Sequence, residues 1–97
     1  MYKIKMLCYD SNPKVKPYWD EPDGYNIFEN DVAAYDKALD LANREAEDLN
    51  IGCDKNVSFG IVEDELCNKI TVNCYYNEDG DNTGNTETVT EYHIIEA

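Results

Sequence analysis

Helical periodicity occurs once in this chain, and every other apolar segment alternates. From Asp31 to Leu49 the residues Tyr35, Leu39, Ala42, Ala46 and Leu49 recur at helical spacing, with Val32 and Ala38 flanking the stripe. Asn30 or Asp31 can cap the start, where acidic side chains also suit the helix dipole, and Asn50 and Gly52 supply stop signals. The other apolar segments have period two. Tyr2, Ile4, Met6 and Cys8 share a face within 2–10, Val57, Phe59 and Ile61 within 57–63, and Ile70, Val72, Cys74 and Tyr76 within 69–76. Within 86–95, Thr88, Thr90, Tyr92 and Ile94 alternate with Val89, His93 and Ile95. The short stretch 64–68 makes the middle pair a hairpin, whereas 77–85, which holds Gly80 and Gly84 and no apolar residue, predicts a loop. One striped helix covers one face of one sheet. The pattern predicts an α+β fold in the order β-α-β-β-β, a mostly antiparallel sheet with the amphipathic helix on one face, as a single domain over 1–97.

Charge constrains the partners. The chain has 21 acidic and 8 basic residues, a formal charge of −13. Residues 1–16 hold four lysines against Asp10 alone, a local charge of +3, and residues 17–97 hold four basic residues against twenty acidic ones, a local charge of −16. Direct binding to nucleic acid or to an anionic membrane needs clustered positive charge and is not expected. No apolar run approaches the ~18 residues of a membrane span, and no leader pattern is present, so a cytoplasmic location with free thiols is expected. With 42% apolar residues, eight Tyr and one Trp, the chain has the material for a core. Cys8, Cys53, Cys67 and Cys74 form no C-x-x-C, and with one histidine they complete no zinc site, so neither metal nor cofactor is expected.

Two groups of residues suit a protein partner. Ser11 to Asn30 contains all three prolines, Gly24, and the aromatics Tyr18, Trp19, Tyr25 and Phe28 interleaved with Asp20, Glu21 and Asp23. A connection of this length without regular structure often carries function, and Trp and Tyr supply contact area with few rotatable bonds. The plainer reading folds Trp19 and Phe28 back over a sheet end or the helix. On the helix, Asp36, Asp40 and Glu47 project within about 40° of one another opposite the apolar stripe, diluted by neighbouring Lys37 and Arg44. Glu78, Asp79 and Asp81 add carboxylates on the 77–85 loop. That loop also matches the first positions of an EF-hand, but its twelfth position falls on Thr90 instead of a bidentate glutamate, which argues against calcium.

Catalysis finds little support. His93 is the only histidine, serines occur only at 11 and 58, and no nucleophile elbow, phosphate loop or zinc-protease motif is present. In strategy, though in no signature residue, the chain is similar to small acidic inhibitors: phage-borne nucleic-acid mimics directed at restriction or CRISPR nucleases, and immunity proteins that neutralise nuclease toxins. That likeness implies a non-enzymatic inhibitor, a monomer or homodimer. It would occupy the basic surface of a nucleic-acid-binding partner through Tyr18, Trp19 and Tyr25 as anchors and the carboxylates above. The alternative is a non-inhibitory module docking through the aromatic loop or a sheet edge, 2–10 or 86–95, with the acidity serving solubility.

Overall fold

The computed structural model describes residues 1–12, 14–53, 56–78 and 81–97, with side chains described throughout those ranges except at 77, 78 and 81–85. Alternation and stripe resolve into six elements: β1 (Tyr2–Cys8), β2 (Tyr18–Asp20), α1 (Asp31–Ile51), β3 (Val57–Asp64), β4 (Lys69–Glu78) and β5 (Asp81–Glu96). The strands form one antiparallel sheet in the order β2-β1-β5-β4-β3, and α1 packs on one face of it. The fold is α+β, as the sequence predicts.

Asn30 caps α1. Its backbone is extended and its side-chain oxygen accepts a 2.8 Å bond from the Ala33 amide, satisfying one donor of the first turn. The deepest contact line is Ala34, Ala38, Ala42 and Ala46, with Tyr35, Leu39, Leu41 and Leu49 on its flanks. This shifts the buried face from the expected stripe: Val32, expected at its flank, is 65% exposed, and Ala34 is fully buried. Four alanines in a row let the helix axis approach the sheet closely, because side chains one turn apart lie above one another on the facing side. Below them Ile4, Ile70 and Val72 are fully buried, with Tyr92 and Ile94 nearly so.

Two expectations are corrected. The order is β-β-α-β-β-β, because Tyr18–Asp20, within the segment expected to be an irregular loop, pairs with β1 at Met6, Leu7 and Cys8. Three residues followed within two positions by Pro22 are too few for alternation to register. The 77–85 loop is mostly ladder: β4 continues to Glu78 and β5 begins at Asp81, with Asn77 opposite Asn82 and Glu78 opposite Asp81. Hydropathy alternation reports burial, and beyond the Val57–Tyr76 pair β4 has, among the described residues, no strand but β5 beside it. A ladder there needs only backbone hydrogen bonds. Residues 81–84, expected in that loop, are therefore strand. The sixteen-residue β5 sets a long dimension of 46 Å.

Sheet order also corrects the proposed edges. β1 lies between β2 and β5, and β5 is flanked by β1 and β4 over Thr90–His93, with the Ile94 amide donating to the Asn68 carbonyl just beyond, so neither terminal strand offers a free edge there. The segment after β2 covers what β2 leaves of β1. The Asn26 side chain donates to the Ile4 carbonyl (2.8 Å) and accepts from the Ile4 amide (3.1 Å), and Phe28 exchanges two 2.8 Å backbone bonds with Tyr2. No helix among the described residues is long and apolar enough to cross a membrane.

Candidate functional site

Strand register assigns each sheet residue to a side. Tyr2, Ile4 and Met6 of β1, Ile70, Val72 and Cys74 of β4, and Thr90, Tyr92 and Ile94 of β5 face α1. Their alternates form an open face that none of the described elements covers. Lys3, Lys5 and Lys69 are there, three of the eight basic residues, together with Trp19, Glu91 and His93. Glu91 organises this face. It accepts from the Tyr9 hydroxyl, lies 2.9 Å from His93 Nε2, and pairs with Lys69 at 3.8 Å. Partial burial would raise its carboxyl pKa, but the hydrogen bonds from Tyr9 and His93 and the charges of Lys69 and His93 hold it below the ordinary carboxylate value. Trp19 stands edge-on to His93 with centroids 5.3 Å apart, and Lys5 Nζ sits 5.6 Å from its ring centroid.

The expected aromatic loop is thus a cover for β1, with its anchors dispersed. Trp19 lies on the open face and is 53% exposed. Tyr18 and Asp20 flank it in β2 and are exposed, pointing to the other side by alternation. Glu21 pairs with Lys3 at 3.6 Å and accepts a 3.3 Å bond from Asn26. Asp23 is exposed beside Gly24, whose φ of +87° makes the turn, and Tyr25 is 84% exposed.

The helix stripe lies on the opposite side of the sheet from Trp19. Asp36 and Glu47 are exposed as expected, but Asp40 is held by Arg44 at 3.2 Å and Lys37 at 3.9 Å, which breaks the negative stripe at its centre. No flat partner surface can touch Trp19 and this stripe together. Of the third group, Glu78 and Asp81 are placed by backbone only, on opposite strands of the β4–β5 hairpin, and Asp79 lies outside the described residues.

Sequence reasoning missed a notch of about 410 Å³ between the first half of α1 and the end of β3. Carboxylates of Asp31, Asp36, Glu63 and Glu65 rim it, and Val32, Tyr35 and Leu39 give it apolar walls. Tyr35 donates to Glu63 at 2.9 Å, and burial together with this bond pushes its hydroxyl pKa up to about 12. The turn beside it is closed by Asn68, whose φ of 49° lies in the left-handed region that asparagine tolerates. Of these carboxylates the sequence marks only Asp36 for a partner, because they lie up to 34 positions apart and no spacing rule links them. Beneath the second half of the helix, Glu45 accepts a 3.0 Å bond from Tyr92, and its other oxygen is buried without a partner among the described residues. All four cysteines are unpaired, and among the described residues no group of His, Cys, Asp or Glu is arranged to hold a metal ion.

Comparison with family models, with curated proteins and with solved structures finds no match for this chain.

Proposed function

We propose that the protein is an acidic protein-binding inhibitor whose helix side docks on the basic, nucleic-acid-binding surface of a partner such as a nuclease or CRISPR effector. The observation that carries this reading is charge segregation. Helix α1 holds six carboxylates against Lys37 and Arg44, on the side of the sheet away from Lys3, Lys5 and Lys69. A nucleic-acid channel lined with Lys and Arg is tuned to fixed negative charge. A folded domain offering such charge on one side steers its own approach, with on-rates reaching ~10⁸–10⁹ M⁻¹s⁻¹ at low salt. Asp36 and Glu47 supply carboxylates that no described residue pairs, whereas Asp40 arrives already neutralised and contributes less.

A second reading rests on the half-exposed Trp19. A non-inhibitory module would use the uncovered sheet face, with Trp19 and Lys5 in contact and the acidity serving solubility. The two are separated by capture from a nuclease-treated lysate at low and moderate salt, using wild type, an Asp36→Asn/Glu47→Gln variant and a Trp19→Ala variant. The inhibitor reading expects a basic nucleic-acid-binding protein that is lost as salt rises, displaced by added duplex DNA, reduced by the helix variant and retained by Trp19→Ala. Salt-resistant capture that depends on Trp19 and ignores the helix variant would replace it with the second.

A further inference from the structure

The molecule guards both sides of its sheet with side-chain amides, and on the β3 side that guard is incomplete. On the β1 side, β2, the Asn26 amide and Phe28 cover successive outward-facing residues. On the β3 side, Asn50 near the end of α1 makes the same clip on Phe59, accepting from its amide at 2.8 Å and donating to its carbonyl at 2.9 Å, and the Cys53 thiol reaches the Val57 carbonyl at 3.1 Å. Outward backbone groups alternate along an antiparallel edge strand. With Phe59 outward, Ile61 and Glu63 are outward too, and their amides and carbonyls have no partner among the described residues. The clip stops where the notch begins.

We propose that this notch is a docking site for an extended, lysine- or arginine-bearing segment of a partner protein, which pairs with β3 at Ile61–Glu63 as a sixth strand. Main-chain bonds to Ile61 and Glu63 would give affinity, and alternate side chains of the added strand would turn toward α1. There they meet the apolar walls at Val32 and Leu39 and the carboxylates of Asp31, Asp36 and Glu65, with no Lys or Arg among the lining residues. Val32 is 65% exposed and Leu66, next to Glu65, fully so, which leaves apolar surface uncovered at both ends of the notch. Charge decides the occupant. A second copy of this chain pairing edge to edge about a two-fold axis would bring two sets of the same carboxylates together, and like charges opposed across strands destabilise the pair. A cationic segment meets the opposite sign throughout. This proposal shares with the inhibitor reading the positive charge of the partner and the Asp36 carboxylate, and it holds equally for an adaptor.

The test is an amide-resolved NMR titration of the full chain with a blocked octapeptide alternating lysine and valine, and with its glutamate-for-lysine counterpart. The lysine peptide is expected to shift residues around the notch and to slow hydrogen exchange at the Ile61 and Glu63 amides, and the glutamate peptide to do neither. An Asp36→Lys/Glu65→Lys variant, altering two exposed side chains and checked for folding by circular dichroism, should bind the lysine peptide at least tenfold more weakly. Three results overturn the proposal: no binding at millimolar peptide, shifts spread over α1 without protection of Ile61, or affinity indifferent to the charge reversal. Any of these alongside salt-sensitive capture by the helix side would remove the notch and leave the inhibitor reading standing.

Discussion

Replacing Asn50 with alanine tests whether a single side-chain amide closes the β3 edge. Asn50 makes two bonds to Phe59, at 2.8 and 2.9 Å, and each such bond contributes about 0.5–1.5 kcal/mol net. Losing both costs about 2 kcal/mol, offset by roughly 0.5 kcal/mol because alanine is the better helix former. The Phe59 amide and carbonyl then meet water, which limits the penalty, so a net loss of about 1–2 kcal/mol is expected. For a domain of this size that lowers Tm by on the order of 5–12 °C. Asn50→Asp keeps an acceptor for the Phe59 amide but sets a carboxylate against its carbonyl, so Phe59 protection should survive while Tm still falls. Asn43→Ala, on the exposed helix surface, should change stability by less than about 0.5 kcal/mol. Thermal melts, hydrogen exchange at Phe59 and sedimentation velocity measure these effects, the last because an unclipped edge from Val57 to Glu63 should associate as concentration rises. Unchanged Phe59 exchange in Asn50→Ala would refute the clip, as would a melting point equal to that of Asn43→Ala.

Ala38, fully buried on the helix seam, has no room for growth, so Ala38→Leu should cost about 1–3 kcal/mol in urea denaturation, whereas Ala33→Leu on the exposed side should cost almost nothing. Three tyrosines titrate late. Tyr35 is pushed up to about 12 by burial and its bond to Glu63, Tyr76 to about 12 by its bond to Glu87 and by Cys74, and Tyr92 is raised by burial and the Glu45 carboxylate. Because the folded values exceed the unfolded one, their contribution is fully present below pH ~10 and is lost between about 10 and 12. Absorbance at 295 nm should show that delay, and Tyr35→Phe/Tyr76→Phe should flatten the alkaline fall in Tm. Glu91 has the opposite sign. Its pKa is lowered, so its contribution is present above the ordinary carboxylate value and is lost as pH falls through the folded one. Glu91→Gln should therefore show a shallower loss of stability between pH 5 and 3, measured by urea midpoints and flagged by rough equality with wild type at the acid end.

The fold class was legible because burial writes itself into hydropathy period. The Ile4, Ile70 and Tyr92 faces alternate, the Ala38–Ala42–Ala46 line repeats at helical spacing, and Asn30 announces its own cap. What the pattern missed is structure that buries little. β2 is three exposed residues, and the outer part of the β4–β5 hairpin is held by backbone pairing. The candidate site was legible only in part. The charge surplus and the outward direction of Asp36 and Glu47 follow from composition and helical phase, but the pairing of Asp40 with both Arg44 and Lys37 needed rotamers.

Sequence alone determined the four sheet-forming segments that bury a face, the helix and the sign of the surface charge, since each depends on neighbours within a few positions. Tertiary structure decided which side of the sheet each charge occupies. It put Trp19 and the helix carboxylates on opposite faces, moved β1 and β5 to the sheet interior, and brought Asp31 and Glu65 to one notch. It also gave Asn26 and Asn50 matching duties at the two edges, although neither sits in any motif. Strand order and helix placement are set by the collective packing of the core, whereas local period is set by the chain itself. A residue's partners across the sheet are therefore fixed only when the whole fold closes.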